Sequence, residues 1–307
     1  MALCLTRLFF LENVLNYIIF DLEWNNGYSH ALNKYINEII EIGAVKLDSK
    51  LNITDTFKQL VIPKYTKKLS SRCKRFTKIT PEEIKENAIE FNAAFSEFER
   101  WCGNTDNLFM SWSNSDLFVI SHNYLINRNN CDISFIKKYC DVQKYCMAFV
   151  KKSESNNNQI GLSDCAQLMG IDIDTEKLHR ALSDCYVAAE CFKKVFDGVK
   201  LSGYIHNCDS NYFERLLFKP YYITEPKSEL FNVYKHDLTC PVCSGRIKPA
   251  SEYIIQNKAF KGAVRCRKCR KSFWVFIRAK KTYDDVIIKE HFVEMNKKRA
   301  RKIFFIK

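Results

Sequence analysis

Asp21 and Glu23, two residues apart, Asp116 further on, and His179 followed at Asp184 are of types and spacing that suit metal-assisted hydrolysis. The run Asn16–Glu23 is apolar, too short for a helix and rich in β-branched and aromatic residues, so it reads as a buried strand. Side chains alternate along a strand, which puts Asp21 and Glu23 on one face where they can share a metal ion. Two carboxylates on a buried strand repel each other and lose hydration, a penalty that bound cations offset. An Asp-x-Glu alone is also compatible with a strand end at which both acids reach water. Residues 177–192 repeat apolar side chains at spacings of three and four, with alanines where a helix can press on a sheet. Asp184 then lies on a helix beside the strand, aimed at the same metals. His179, near that helix start, has a side chain whose ordinary pKa suits a general base, although a lone histidine there also fits a cap or a surface position.

Phe20-Asp21-Leu22-Glu23, the segment Asn37-Glu38-Ile39-Ile40-Glu41-Ile42-Gly43-Ala44-Val45 and the closing His179-Arg180-Ala181-Leu182-Ser183-Asp184 resemble the DEDDh 3′–5′ exonucleases of the DnaQ-like group. The likeness is greatest to the subgroup of bacterial sporulation-inhibitor exonucleases and eukaryotic exoribonucleases that trim small and ribosomal RNAs, and it spans about residues 16–197. It implies an α/β, RNase H-like fold, a mixed sheet flanked by helices, and hydrolysis to nucleoside 5′-monophosphates. The subgroup's second motif reads Trp-Gly-x-x-Asp; here Trp112 and Asp116 match and Ser113 replaces the glycine, a change that could shift the turn before the acid. The rival Asp106 sits in Gly103–Asn107, which reads as a solvated turn. By the resemblance Asp21 bridges two ions, Glu23 and Asp184 hold the one that carries the attacking water, Asp116 steadies the other, and His179 takes the proton. All-oxygen ligation favours Mg²⁺ or Mn²⁺. Trp24 and Asn25 directly follow the first acids, which places them to stack on a terminal base and meet its sugar, or else to form a turn over the sheet edge. His122 and Asp141, polar islands in apolar surroundings, read as structural.

A second constellation is made by Cys240-Pro-Val-Cys243 and Cys266-Arg-Lys-Cys269, two Cys-x-x-Cys turns separated by 22 residues. Four thiolates in two such turns form a closed tetrahedral cage, which points to one structural Zn²⁺ in a zinc ribbon, with iron as a chemically possible substitute. Strands are expected at 251–256 and 272–277. Residues 236–307 hold 19 Lys plus Arg against 6 Asp plus Glu, whereas residues 1–235 hold 29 of each, so the formal net charge of +13 belongs to the last quarter. Arg267, Lys268, Arg270 and Lys271 surround the second knuckle and Trp274 follows it, a mixture suited to phosphates and unpaired bases together. The aromatics could instead form the ribbon's small core. Residues 297–302 add a basic tail.

The elements that must position these groups fit a three-part chain: an exonuclease domain at 16–200, an aromatic-rich connector at 201–235, and the basic ribbon with its tail at 236–307. Strands are expected at 37–47 and 53–62, a helix capped by Thr80, and an amphipathic segment at 88–102 with Phe91, Phe95 and Phe98 on one face. An apolar content of 47% supports a real core and argues against disorder. Fourteen cysteines without a disulfide framework fit a reducing cytoplasm. Met1–Leu15 is too short and too interrupted for a membrane span, and a start codon placed upstream of the true one would explain it. The polar loop Lys151–Asn158 is expected near the substrate path. These features point to a metal-dependent 3′–5′ exonuclease acting on single-stranded nucleic acid, RNA before DNA, without membrane attachment. A catalytically silent binding protein and a proofreading partner of a polymerase are the competing readings.

Overall fold

The computed structural model describes residues 16–103, 106–130, 133–150, 159–174, 178–249 and 251–304. The expectations for Met1–Leu15 and Lys151–Asn158 lie outside the described residues. The chain divides into two compact units after Leu217.

The first unit holds a seven-stranded sheet: β1 (Asn16–Ser29), β2 (Lys34–Leu47), β3 (Ile53–Val61), β4 (Ala88–Ile89), β5 (Asn107–Ser111), β6 (Lys138–Asp141) and β7 (Ile205–Asn207), in the order β4-β3-β2-β1-β5-β6-β7. β1–β2, β2–β3 and β6–β7 are antiparallel, while β1–β5, β5–β6 and β3–β4 are parallel, which makes the sheet mixed as expected. Nearly every residue of β1 up to Leu22 is buried because both faces are covered. Ile18, Phe20 and Leu22 join the core formed with Phe91, Phe95 and Phe98, the recurrent face read from the sequence. Tyr17 and Ile19 project into the opposite core, with Ala188, Ala189 and Phe192.

The helices of this unit are α1 (Ser71–Thr77), α2 (Pro81–Asn87), α3 (Phe91–Cys102), α4 (Asn114–Arg128), α5 (Val142–Met147), α6 (Leu162–Leu168), α7 (Ala181–Lys194), α8 (Gly198–Leu201) and α9 (Ser210–Leu217). Thr80 caps α2 as the sequence predicts, its hydroxyl accepting from the Glu83 N–H at 3.0 Å. The amphipathic segment starts later than expected, because Ala88 and Ile89 pair with β3 before α3 begins.

The second unit is larger than a ribbon hairpin. β9 (Leu238–Thr239), β10 (Arg246–Pro249), β12 (Ala259–Cys266), β13 (Ser272–Lys281) and β14 (Val286–Glu294) form one antiparallel path, with β8 (Tyr221–Ile223) added to β13 and β11 (Ile254–Gln256) to β12. A helix follows at Lys297–Phe304. Of the two strands expected from sequence, 251–256 shortens to Ile254–Gln256 and 272–277 extends to Lys281. Residues 201–235 are shared between the units instead of standing apart: β7 and α9 belong to the first, with Phe213 buried in its core, while β8, Phe231 and Val233 belong to the second. Of their aromatics, Phe213 and Phe231 fill cores on the two sides of Leu217, whereas Tyr221, Tyr222 and Tyr234 are exposed.

Candidate active site and zinc knuckles

Asp21 sits opposite Gly43 in the β1–β2 register. A Cβ at Gly43 would lie 2.2 Å from the Leu182 amide nitrogen and 2.3 Å from the Ala181 carbonyl carbon, so only glycine lets the start of α7 rest on β2. That contact brings Asp184, in the first turn of α7, beside the strand. Carboxylate oxygens of Asp21, Glu23 and Asp184 all lie within 4.8 Å of one another, so the three acids expected to share a metal do converge. Asp116 is buried in the first turn of α4, where its Oδ1 accepts from the Leu22 N–H at 3.3 Å. It flanks that trio without being part of the shared cluster. Ser113 is extended, with φ −146°, and caps α4 by accepting from the Ser115 N–H, so the position asks for no glycine. Asp106 instead pairs with Lys138 at 2.6 Å.

Electrostatics explain what this cluster needs. Burial, then the neighbouring charges of Asp116, Asp184, Glu23 and Glu41, hold the Asp21 carboxyl far above the ordinary range. Burial and then Asp184 push Glu23 up to about 9. Burial raises Asp116 to about 7 and Asp184 to about 6, partly countered by the backbone N–H groups of Leu22 and His179 respectively. Like charges gathered out of water remain ionised together only with cations between them, and an all-carboxylate donor set suits hard divalent ions.

His179 adopts the left-handed region, φ 66°, and its backbone N–H donates to Asp184 Oδ1 at 3.2 Å. Its ring meets Phe76 edge-on, with centroids 5.4 Å apart. Arg180 then fixes the helix start. Its Nε donates to both oxygens of the fully buried Glu41 at 3.1 Å, and its Nη2 donates at 2.7 Å to Glu41 and to Glu83. Glu41 also accepts from the Ala181 N–H at 3.0 Å and stands opposite Glu23 in the sheet. Arg180→Met would leave the buried Glu41 carboxylate with only the looser contact to Lys58 at 3.7 Å, so urea denaturation should show a loss of up to about 3 kcal/mol. An unchanged unfolding midpoint would refute the clamp.

An open cleft of about 700 Å³ lies over these groups, lined by Glu23, Trp24, Asn26, Arg72, Phe76 and His179 among others. Trp24 is therefore at the cleft, whereas Asn25 is not available to a substrate. It is fully buried, donates to Thr66 Oγ1 and the Lys68 carbonyl at 3.0 Å each, and accepts from the Ser70 N–H at 2.8 Å. Alternation carries residues 21, 23 and 25 to one face, and the loop before α1 covers the third of them. Glu38 holds the same loop by accepting from the N–H groups of Lys64, Tyr65 and Thr66 at 2.6–2.8 Å. Asn26, from the same run as Trp24, lines the cleft in place of Asn25, together with Arg72 and Phe76; nothing in the local sequence marks the last two, since only the fold brings α1 over β1. The two polar islands are structural as read: Asp141 caps α5, and His122 stacks on Phe118.

The four cysteines converge from two turns of matching construction. Cys240 Sγ is 3.6 Å from Cys269 Sγ, and Cys243 Sγ is 3.5 Å from Cys266 Sγ. In each knuckle the first cysteine N–H donates to the carbonyl five residues on, Gly245 at 2.8 Å and Lys271 at 2.9 Å, and the residue after the second cysteine is left-handed, Ser244 and Arg270. Backbone N–H groups, that of Cys269 first, pull the Cys266 thiol down to about 6, towards the thiolate that a metal binds. The donor set fits a closed tetrahedral metal. Around it Arg267, Lys268 and Arg270 are exposed, Lys271 pairs with Glu294 at 3.0 Å, and Trp274 is half-buried.

A mixed sheet between helices, with clustered carboxylates where β1 meets α7, is the architecture of the RNase H-like exonucleases. The family model described as Exonuclease matches residues 18–192, and the chain belongs to that family. This bears out the resemblance to the DEDDh 3′–5′ exonucleases, and the protein is a 3′–5′ exonuclease of the hydrolase class. Among curated proteins it is similar to the "Probable 3'-5' exonuclease KapD" of Bacillus subtilis (strain 168), 29% identical over 184 residues, covering 60% of this chain and 84% of KapD. Its fold is shared with the nuclease domain of 3'hExo, described as a DEDDh family member bound to rAMP, at 24% identity and TM-score 0.51 over 61% of this chain and 95% of that one. A 3'-exonuclease solved in recognition of a histone mRNA stem-loop matches at 21% identity and TM-score 0.51, covering 64% and 92%. The second unit lies beyond the family match. Among the described residues no helix is long and apolar enough to cross a membrane.

Proposed function

We propose that the protein removes nucleoside 5′-monophosphates from the 3′ end of single-stranded nucleic acid, RNA in preference to DNA, with two Mg²⁺ or Mn²⁺ ions at the acid cluster. The observation that carries this is the convergence of Asp21, Glu23 and Asp184 within one ion's reach, with Asp116 beside them. Bound there, divalent ions would activate the attacking water and neutralise charge on the reacting phosphate. Asp21, Glu23 and Asp184 would hold these ions, with Asp116 as a further ligand beside them. His179, presented at the cleft from a left-handed turn and backed by Phe76, takes the water's proton. Trp24 and Phe76 offer faces to the terminal bases, and Arg72 offers a cation to the phosphate behind them. The RNA preference is supported by the resemblance to exoribonucleases and by two structures that share the fold, one bound to rAMP and one in recognition of a histone mRNA stem-loop. The exposed Arg267, Lys268 and Arg270 at the second knuckle add cations suited to the phosphates of such a strand. Buried free cysteines such as Cys140, Cys146 and Cys185 suit a reducing cytoplasm.

The test is a 5′-labelled oligonucleotide series, matched RNA and DNA, single and double stranded, with Mn²⁺ present. A shortening ladder is expected on single strands, faster on RNA. His179→Ala should slow it about 10²–10⁴-fold with little change in KM. A gel shift without shortening would instead establish a silent binding protein.

A further inference from the structure

The sheet of the second unit has an outward face that the zinc knuckles do not use. In β13, Phe273, Val275, Ile277 and Ala279 fill the core, so Trp274, Phe276 and Arg278 belong to the other side. The register sets Lys261 of β12 opposite Phe276, and His291 and Lys289 of β14 opposite Phe276 and Arg278. Lys261 Nζ lies 4.8 Å from the centre of the Trp274 ring and 5.6 Å from that of Phe276. The His291 ring is 6.3 Å from Phe276, inclined at 38°. A groove of about 570 Å³ runs over Phe276, Arg278, Lys289 and His291. Its one carboxylate, Glu290, is engaged by His236 at 2.6 Å.

Two rings on the middle strand of a sheet, with cations on both neighbouring strands, match one ligand chemistry. An apolar protein surface would strip water from Lys261, Arg278 and Lys289 without return, and a merely acidic partner would leave the rings unused. A single strand of nucleic acid satisfies both, because unpaired bases stack on rings while the linking phosphates meet cations. The excess charge of the last quarter of the chain adds long-range attraction for such a polyanion.

We propose that this face is a binding platform for single-stranded nucleic acid, with bases on Trp274 and Phe276 and phosphates on Lys261, Arg278 and Lys289. The inference rests on the single-strand reading above and moves the main grip of the second unit from the knuckle to the sheet.

The experiment uses the full chain. With Asp21→Asn to prevent cleavage, fluorescence anisotropy is recorded for a labelled single strand of about 20 nucleotides, long enough to cross such a platform. Trp274→Ala with Phe276→Ala should weaken binding about tenfold or more, and Lys261→Glu with Arg278→Glu should weaken it and flatten its salt dependence. Both pairs should retain zinc and leave binding of a duplex of equal length less affected. Parent-like affinity in both folded pairs overturns the proposal, as does a change confined to oligomeric state, which would assign the face to a second copy. Absence of cleavage in the parent with weakened binding in the pairs would defeat the exonuclease reading and leave the platform standing.

Discussion

Asp21→Asn should reduce hydrolysis at least about 10³-fold and at the same time make the metal-free protein harder to melt. The two effects have one origin. Asp21 is held far above the ordinary carboxylate range by burial and by four neighbouring acids, so in the absence of cations its charge opposes folding. A group whose folded pKa is raised contributes stability in acid that is lost as pH climbs. Here the window opens above the ordinary carboxylate value and extends through the folded values of about 6 for Asp184, 7 for Asp116 and 9 for Glu23. The metal-free chain should therefore be most stable in mild acid and soften towards neutrality, and Mg²⁺ or Mn²⁺ should reverse the softening. Replacing the carboxyl at neutral pH removes the cost of protonating it or burying its charge on folding, which should raise Tm by several degrees, on the order of 2–4 °C per kcal/mol for a unit of this size. A variant that keeps its activity, or a Tm that falls, would sink the assignment of Asp21 as the shared ligand.

Loss of the second metal should act on a different part of the chain. Cys243→Ser, or chelation strong enough to strip zinc, should release one zinc per protein and open the hydrogen bonds of β9, β10 and the β12–β13 turn to exchange. The knuckles supply two connections of the second sheet, and Cys240 and Cys266 are themselves part of its core. Structural zinc contributes about 10–16 kcal/mol of binding energy in isolated finger peptides, so removal from this small core should be felt throughout it. Amides of β1, β2 and β5 should exchange as before, because they belong to the other unit. Unchanged protection in β12 and β13 after zinc removal would show that the four cysteines only happen to be close.

The sequence made the chemistry readable wherever one residue's type carried its own reason. Asp21 and Glu23 follow from strand alternation, Asp184 from helical spacing, and the four cysteines from ligand arithmetic. Asp116 was readable despite the broken motif, because Ser113 replaces the glycine at an extended position where a cap is useful. Asn25 was misread as a substrate contact, since its neighbours in sequence are cleft residues while its partners, Thr66, Lys68 and Ser70, lie about 40 residues away. Glu38 and Glu41 stand out in sequence only as parts of a motif, and the loop and the arginine they hold lie 26 and 139 residues away. The second sheet was underestimated for a related reason. Its strands take residues from both sides of the cysteines, and β8 was hidden in a segment that reads as a connector.

Gly43 makes the spacing of the acids a property of two backbones in contact. No side chain separates β2 from the start of α7, so the distance between the strand that carries Asp21 and the helix that carries Asp184 is set by the thickness of the main chain. The residues that fill the cores above and below can drift in size without widening the jaws of the site. Sequence divergence of the scaffold is in this way uncoupled from the calibration of the cut.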